Sequence, residues 1–154
     1  MGDLKLIENG NGGDVVLMGN DLGMVFGFQN MPYLGLFGGN PGFSTPIERQ
    51  TEEQAFDWWG NNLLMANEPG LQFNSQTENV LRTVALNSQG RLLIEQAVNA
   101  DLSFMRDFVL LTIQVSILAT DKVQIYIKMV QPDNLQETEF IYLWDSTLQE
   151  LTIA

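Results

Sequence analysis

Cysteine and histidine are both absent from the 154 residues. Without them there is no disulfide framework, no thiol nucleophile, no imidazole base and no usual ligand set for zinc. Positive charge is scarce as well: seven Lys and Arg stand against 19 Asp and Glu, a formal net charge of −12. Lys5, Arg49, Arg82, Arg91, Arg106, Lys122 and Lys128 are scattered along the chain. No basic stripe that could neutralise phosphates can be drawn from them, so no nucleic-acid partner is expected. The first ten residues, MGDLKLIENG, hold no apolar run, and no secretory signal is read there.

One stretch lacks charge altogether, from Leu22 to Ile47. It is long enough to suggest a membrane span, but it contains Pro32, Pro41, Pro46 and six glycines. A spanning helix must satisfy every backbone group internally, and these residues would break it repeatedly. No membrane span is expected. Phe26, Phe28, Met31, Tyr33, Leu34, Leu36, Phe37 and Phe43 are nonetheless too many large apolar groups for a water-facing loop. The stretch reads as part core and part surface awaiting a partner.

What is present is an ordinary folded composition, 45% hydrophobic and 17% charged, on a chain long enough for one domain with its own core. Eleven of the 14 glycines fall in the first 43 positions, so a Gly-rich front precedes a more regular back. In the front, Asp3 to Glu8 alternates with Leu4 and Leu6 on one face, ENGNGGD supplies a turn, and two short strand-like pieces flank GND. MPYLGLF suggests one or two helical turns with Pro32 at the start. SQTE, Ser75 to Glu78, has the form of a capping box, and Val80, Leu81, Val84 and Ala85 share a helical face behind it. NSQG at 87–90 breaks or re-caps the helix. A second helix follows, with Leu92, Leu93, Gln96, Ala97 and Ala100 along one stripe.

The period then changes. Val109, Leu111, Ile113, Val115 and Ile117 alternate with more polar neighbours, as do Val123, Ile125, Ile127 and Met129 after a turn at ATDK. This predicts a hairpin over 109–130 with odd-numbered residues buried. ETEFIYLW is a third strand and LQELTIA a possible fourth. Strands, then helices, then strands indicate an α+β fold. The expectation is one compact domain over 1–154, with a mainly antiparallel sheet packed against two helices. Its parts are a Gly-rich strand and loop region at 1–47, helices at 75–107 and strands at 108–154.

Catalysis without His or Cys would rest chiefly on carboxylates. Asp57 and Glu68 flank the Trp58–Trp59 pair, and two carboxyls beside aromatic platforms suit glycoside hydrolysis. Nineteen acids make such neighbours common by chance, so a structural role for the tryptophans is preferred. Glu52, Glu53 and Asp57 have helical spacing but no calcium-loop pattern around them. They read as a solvated face. GNGGD lacks the Lys-Ser/Thr of a phosphate loop. No enzymatic activity, cofactor or metal is expected.

The features taken in order, from DLKLIENGNGGDVVLMGNDLGMVFGFQNMPYLGLFGGN through WWGN and GLQFNS to two helices and a pair of alternating strands, resemble a known group. It is the Mu-like baseplate wedge family of contractile phages, related to the lysozyme-like sheath initiators. The marks that carry the resemblance are Trp58, Trp59, Gly60, Glu68, Pro69, Gly70 and Ser75. The related initiators carry a Glu-Pro-Arg element; here Glu68-Pro69-Gly70 lacks the arginine, so no specific role passes to Glu68.

The resemblance implies a structural adaptor in the virion tail baseplate, made in the host cytoplasm. It would be present in multiple copies and bound to other wedge subunits, the tail tube and the sheath through strand edges. The alternative it leaves is a lysozyme-like hydrolase using paired carboxylates. Phe28, Tyr33, Phe37, Phe43, Phe140, Tyr142 and Trp144 are the aromatic interface candidates, and Asp3–Glu8 or Phe140–Trp144 the terminal strands expected to pair with neighbouring subunits.

Overall fold

Short Gly-punctuated segments cannot build long strands, and the front of the chain forms two-stranded ribbons instead. The computed structural model describes residues 2–8, 13–39 and 59–154. In it β1 (Gly2–Leu4), β2 (Leu6–Glu8), β3 (Gly13–Val15), β4 (Leu17–Met18), β5 (Asp21–Leu22) and β6 (Met24–Phe26) pair as β1–β6, β2–β3 and β4–β5, all antiparallel. The ribbons meet at a closed ring of three backbone hydrogen bonds. Lys5 N donates to Gly23 O (2.8 Å), Gly23 N to Val16 O (2.6 Å) and Val16 N to Lys5 O (3.1 Å). Gly23 is buried there, and a Cβ on it would lie 3.1 Å from Val16 O, so the junction closes around a residue without a side chain.

The helix expected at MPYLGLF is α1 (Met31–Phe37), with Pro32 in its first turn. Its residues from Pro32 to Phe37 are all buried, as suits a helix apolar on every side. The charge-free stretch is therefore divided: 31–37 belong to the chain's own core, Leu22, Met24 and Phe26 stay exposed, and 40–47 lie outside the described residues.

After α2 (Trp59–Leu63) and a 3-10 turn at Pro69–Leu71, the chain enters α3 (Thr77–Thr83) and α4 (Ser88–Asp101). The capping box does not form. Ser75 Oγ instead donates to Gly35 O on α1 (2.7 Å), and the start of α3 is capped from a distance by Asp101. That carboxylate accepts from Gln76 N (2.9 Å), Thr77 N (2.8 Å) and Thr77 Oγ1 (2.6 Å). Asn87 does re-cap the chain, accepting from Gly90 N at 2.9 Å.

The stripe expected on α4 is out of phase. Leu92, Leu93, Gln96 and Ala100 are exposed, and the buried face carries Ile94, Ala97 and Val98. Both stripes have helical spacing. The one that includes β-branched Ile94 and Val98 faces the core, and it also aims Asp101 at the start of α3.

The predicted hairpin forms β7 (Leu110–Ala119) and β8 (Lys122–Val130), with Ile113 opposite Ile127. β9 (Glu137–Asp145) and β10 (Glu150–Ile153) complete a four-stranded antiparallel sheet of order β10-β9-β8-β7. Val123, Ile125, Ile127 and Met129 are fully buried, and Val115 on β7 nearly so. Each such side chain contributes about 1.5–3 kcal/mol on burial. The outer face carries polar pairs, with Lys128 joined to Glu137 (2.7 Å) and Tyr126 bonded to Glu139 (2.7 Å). α1, α3 and α4 join the inner face in one core through Leu36, Phe37, Leu81, Ile94 and Val98. The fold is α+β, as the element order indicated.

Candidate assembly surface

Among the residues that carry the resemblance, Trp58 lies outside the described residues. Trp59 opens α2, and Gly60 follows it, buried, with its carbonyl accepting from Leu64 N (2.9 Å) and Met65 N (3.1 Å). Glu68, Pro69 and Gly70 form an exposed turn, in which Glu68 N donates to Met65 O. Ser75 is buried and tied to α1 through its hydroxyl and through its N–H, which donates to Gly39 O (2.9 Å). Asp57, the partner proposed for Glu68, the acids Glu52 and Glu53, and Phe43 lie outside the described residues.

A residue that sequence reasoning passed over organises this corner. Asn61 is fully buried, donates to Gly38 O (2.8 Å) and Phe73 O (3.0 Å), and accepts from Phe73 N (3.0 Å). It joins α2, the end of α1 and the approach to α3 with a single amide. A second node, Asn30, donates to Leu4 O (2.6 Å) and Asp3 Oδ2 (3.1 Å) and accepts from Leu6 N (3.3 Å), tying the first two strands to α1. Buried Glu8 accepts from Tyr33 OH at 3.1 Å. Burial, and then the adjoining Glu8 charge, push the Tyr33 phenol well above its ordinary range. No pattern marks a buried Asn or Glu in the sequence, since both are usually exposed.

Most of the aromatic interface candidates are corrected by burial. Tyr33, Phe37, Tyr142 and Trp144 lie in the chain's own core and have almost no surface to offer a partner. Phe37 meets Tyr142 edge-on with centroids 5.8 Å apart and lies 5.9 Å from Tyr33, geometry suited to ring quadrupoles. Arg82 sits 5.9 Å over the Trp144 ring. Phe140 is half-buried and stacked on Tyr142. Phe28, also half-buried, stacks with Phe108 at 6.0 Å and helps line an apolar recess of about 40 Å³ with Met31 and Phe104. Phe140–Trp144 is no terminal edge either: β9 is paired on both sides, by β8 and β10.

The surface that remains open lies elsewhere. Leu17 (72%), Met18 (63%), Leu22 (42%), Met24 (49%) and Phe26 (67%) are exposed on adjoining ribbons. Leu17 and Leu22 face each other across β4–β5, and Met24 and Phe26 both approach Gly2. The sheet adds two edges, β7 and β10.

Among the described residues, no helix is long and apolar enough to cross a membrane, and no cluster of three or more acidic side chains could hold a metal ion. Asp101 stands above the ordinary carboxylate range because burial outweighs the hydrogen bonds from Thr77 and Gln76. It is occupied as a helix cap. No protein-family model matches the chain, and neither the curated proteins nor the solved structures include a match.

Proposed function

We propose that this chain is a structural assembly subunit of the baseplate of a contractile phage tail or a related injection system. It joins the wedge to the tail tube and the first sheath ring, and it works without catalysis. The baseplate assignment comes from the sequence resemblance. The observation that carries the assembly role is the set of large apolar side chains exposed on the ribbons, from Leu17 to Phe26. A patch of this kind usually marks a docking site. Strand edges add sequence-tolerant docking through backbone hydrogen bonds. A formal charge of −12 would steer the subunit toward basic partner faces, with association slowing as salt rises.

Mass spectrometry of contractile tail particles purified from the encoding strain should find this chain as a stoichiometric component. Its absence from intact particles would overturn the baseplate role. The purified protein should leave the turbidity of a peptidoglycan suspension unchanged. Clearing that is abolished by Glu68→Gln would favour the hydrolase instead.

A further inference from the structure

Among the described residues, the outer edge of β7 has no strand beside it: β7 is the last member of its sheet and pairs with β8. Among the described residues, the backbone and side chains of Leu110–Ala119 make no hydrogen bond outside the β7–β8 ladder. Natural edges of this length are usually blunted by charge, proline, a bulge or a cover. β7 runs for ten residues, LLTIQVSILA, without a charged residue or proline, and its irregularity falls between Ile117 and Ala119, at the far end. On a chain with 19 acidic residues, a neutral edge of that length is a specific feature.

Its sequence is also self-complementary. Turned antiparallel about Gln114, Leu110 falls opposite Leu118, Leu111 opposite Ile117, Thr112 opposite Ser116 and Ile113 opposite Val115. Every pair joins like chemistry, and each residue meets one pointing to the same face of the sheet. On the outer face Leu110 and Leu118 are 66% and 56% exposed. On the inner face Leu111, Ile113 and Ile117 are only half-buried, whereas the facing positions of β8 are dry.

From this we infer that the β7 edge binds the β7 edge of a second copy of the chain, antiparallel, about a two-fold axis through Gln114. The contact is isologous, so the β7 edge is used up at two copies, and a β10 strand lies at each end of the joined sheet. It joins two four-stranded sheets into one of eight strands, with both inner faces on the same side. The inference is independent of the baseplate role, because it rests on the strand alone.

Sedimentation and cross-linking of the full chain test it. The wild type should sediment at twice 17.3 kDa. The chain has no cysteine, so Gln114→Cys introduces a unique thiol on the axis. Directly opposed residues in an antiparallel pair lie within disulfide reach, at about 4.5–5.5 Å between Cα atoms. Oxidation should give a covalent dimer, while Gln124→Cys on β8 should give none.

The double variants Thr112→Lys/Ser116→Lys and Thr112→Glu/Ser116→Glu each place like charges opposite one another. Each should weaken its own dimer about tenfold or more, and mixing the two should restore it. The cysteine result does not depend on these variants folding. A wild type that is monomeric at all concentrations overturns the inference, even if the edge accepts a foreign strand. So does a dimer that neither cross-links through position 114 nor responds to the charge pairs.

Discussion

The ribbons at the front of the chain and the sheet at its back are built from similarly apolar strands in antiparallel pairs, but only the sheet keeps its apolar groups dry. β8 has a strand on each side and helices over one face, and every inward residue from Val123 to Met129 is fully buried. Among the described residues β4 and β5 pair with each other alone, and Leu17, Met18 and Leu22 remain in water. An isolated two-stranded ribbon has no second layer, so its side chains cannot leave solvent however apolar they are. Burial here is a property of layers, and what the front leaves exposed is available to other molecules.

The largest expected effect probes the sheet side of this contrast. Ile127→Asp puts a charge at a fully buried central position and should abolish the cooperative thermal transition, a loss of several kcal/mol, about 3–5. Ile113→Asp, directly opposite on the half-buried edge strand, should cost clearly less in the same melt at concentrations dilute enough for the chain to be monomeric. Equal losses would mean that β7 is as enclosed as β8.

Next comes a substitution whose sign opposes helix propensity. Gly90 lies in the first turn of α4, where alanine would ordinarily help by about 1 kcal/mol. A Cβ there would sit within 1.9 Å of Ala85 O, a backbone atom that cannot move aside cheaply. Gly90→Ala should therefore destabilise by about 1–3 kcal/mol in urea titration. A stabilised variant would show that the α3–α4 connection is looser than its contacts imply.

Hydrogen exchange reads both regions at once. In the free protein the amides of 2–8 and 13–26 should exchange well before those of 122–130, because few buried contacts hold the ribbons closed. Uniform protection would erase the distinction between the two regions.

The smallest effect concerns Asp101. Its carboxyl is held above the ordinary 3.8, so its contribution to stability is complete below that pH and is lost as pH rises through the elevated value. Asp101→Asn should remove that component and flatten the stability profile from pH 3.8 upward. An unchanged profile would place the group at its ordinary value.

Much of the back half was legible because strand alternation is set by local geometry. Successive side chains point to opposite faces, and the phase of Val123 to Met129 follows once one face is apolar. The α4 stripe was not legible in the same way. Leu92 and Leu93 are as apolar as Ile94 and Val98, and only the neighbours of the helix select between two faces of equal spacing. Ser75 was misassigned for a related reason: a capping signal describes a local option, and Gly35 O was the partner that the fold supplied. Asn61 and Asn30 carried no signal at all.

By itself, then, the sequence determined the α+β order, the hairpin and its inward residues, and the short helix after Asn30, since all three follow from periodicity and backbone preference within short windows. Tertiary structure alone decided that Tyr33, Phe37, Tyr142 and Trp144 serve the private core, that β9 is central and β7 an edge, and that the ribbons stay exposed. Those outcomes depend on which elements meet in space, and an aromatic ring is equally suited to a core or an interface until its neighbours are in place.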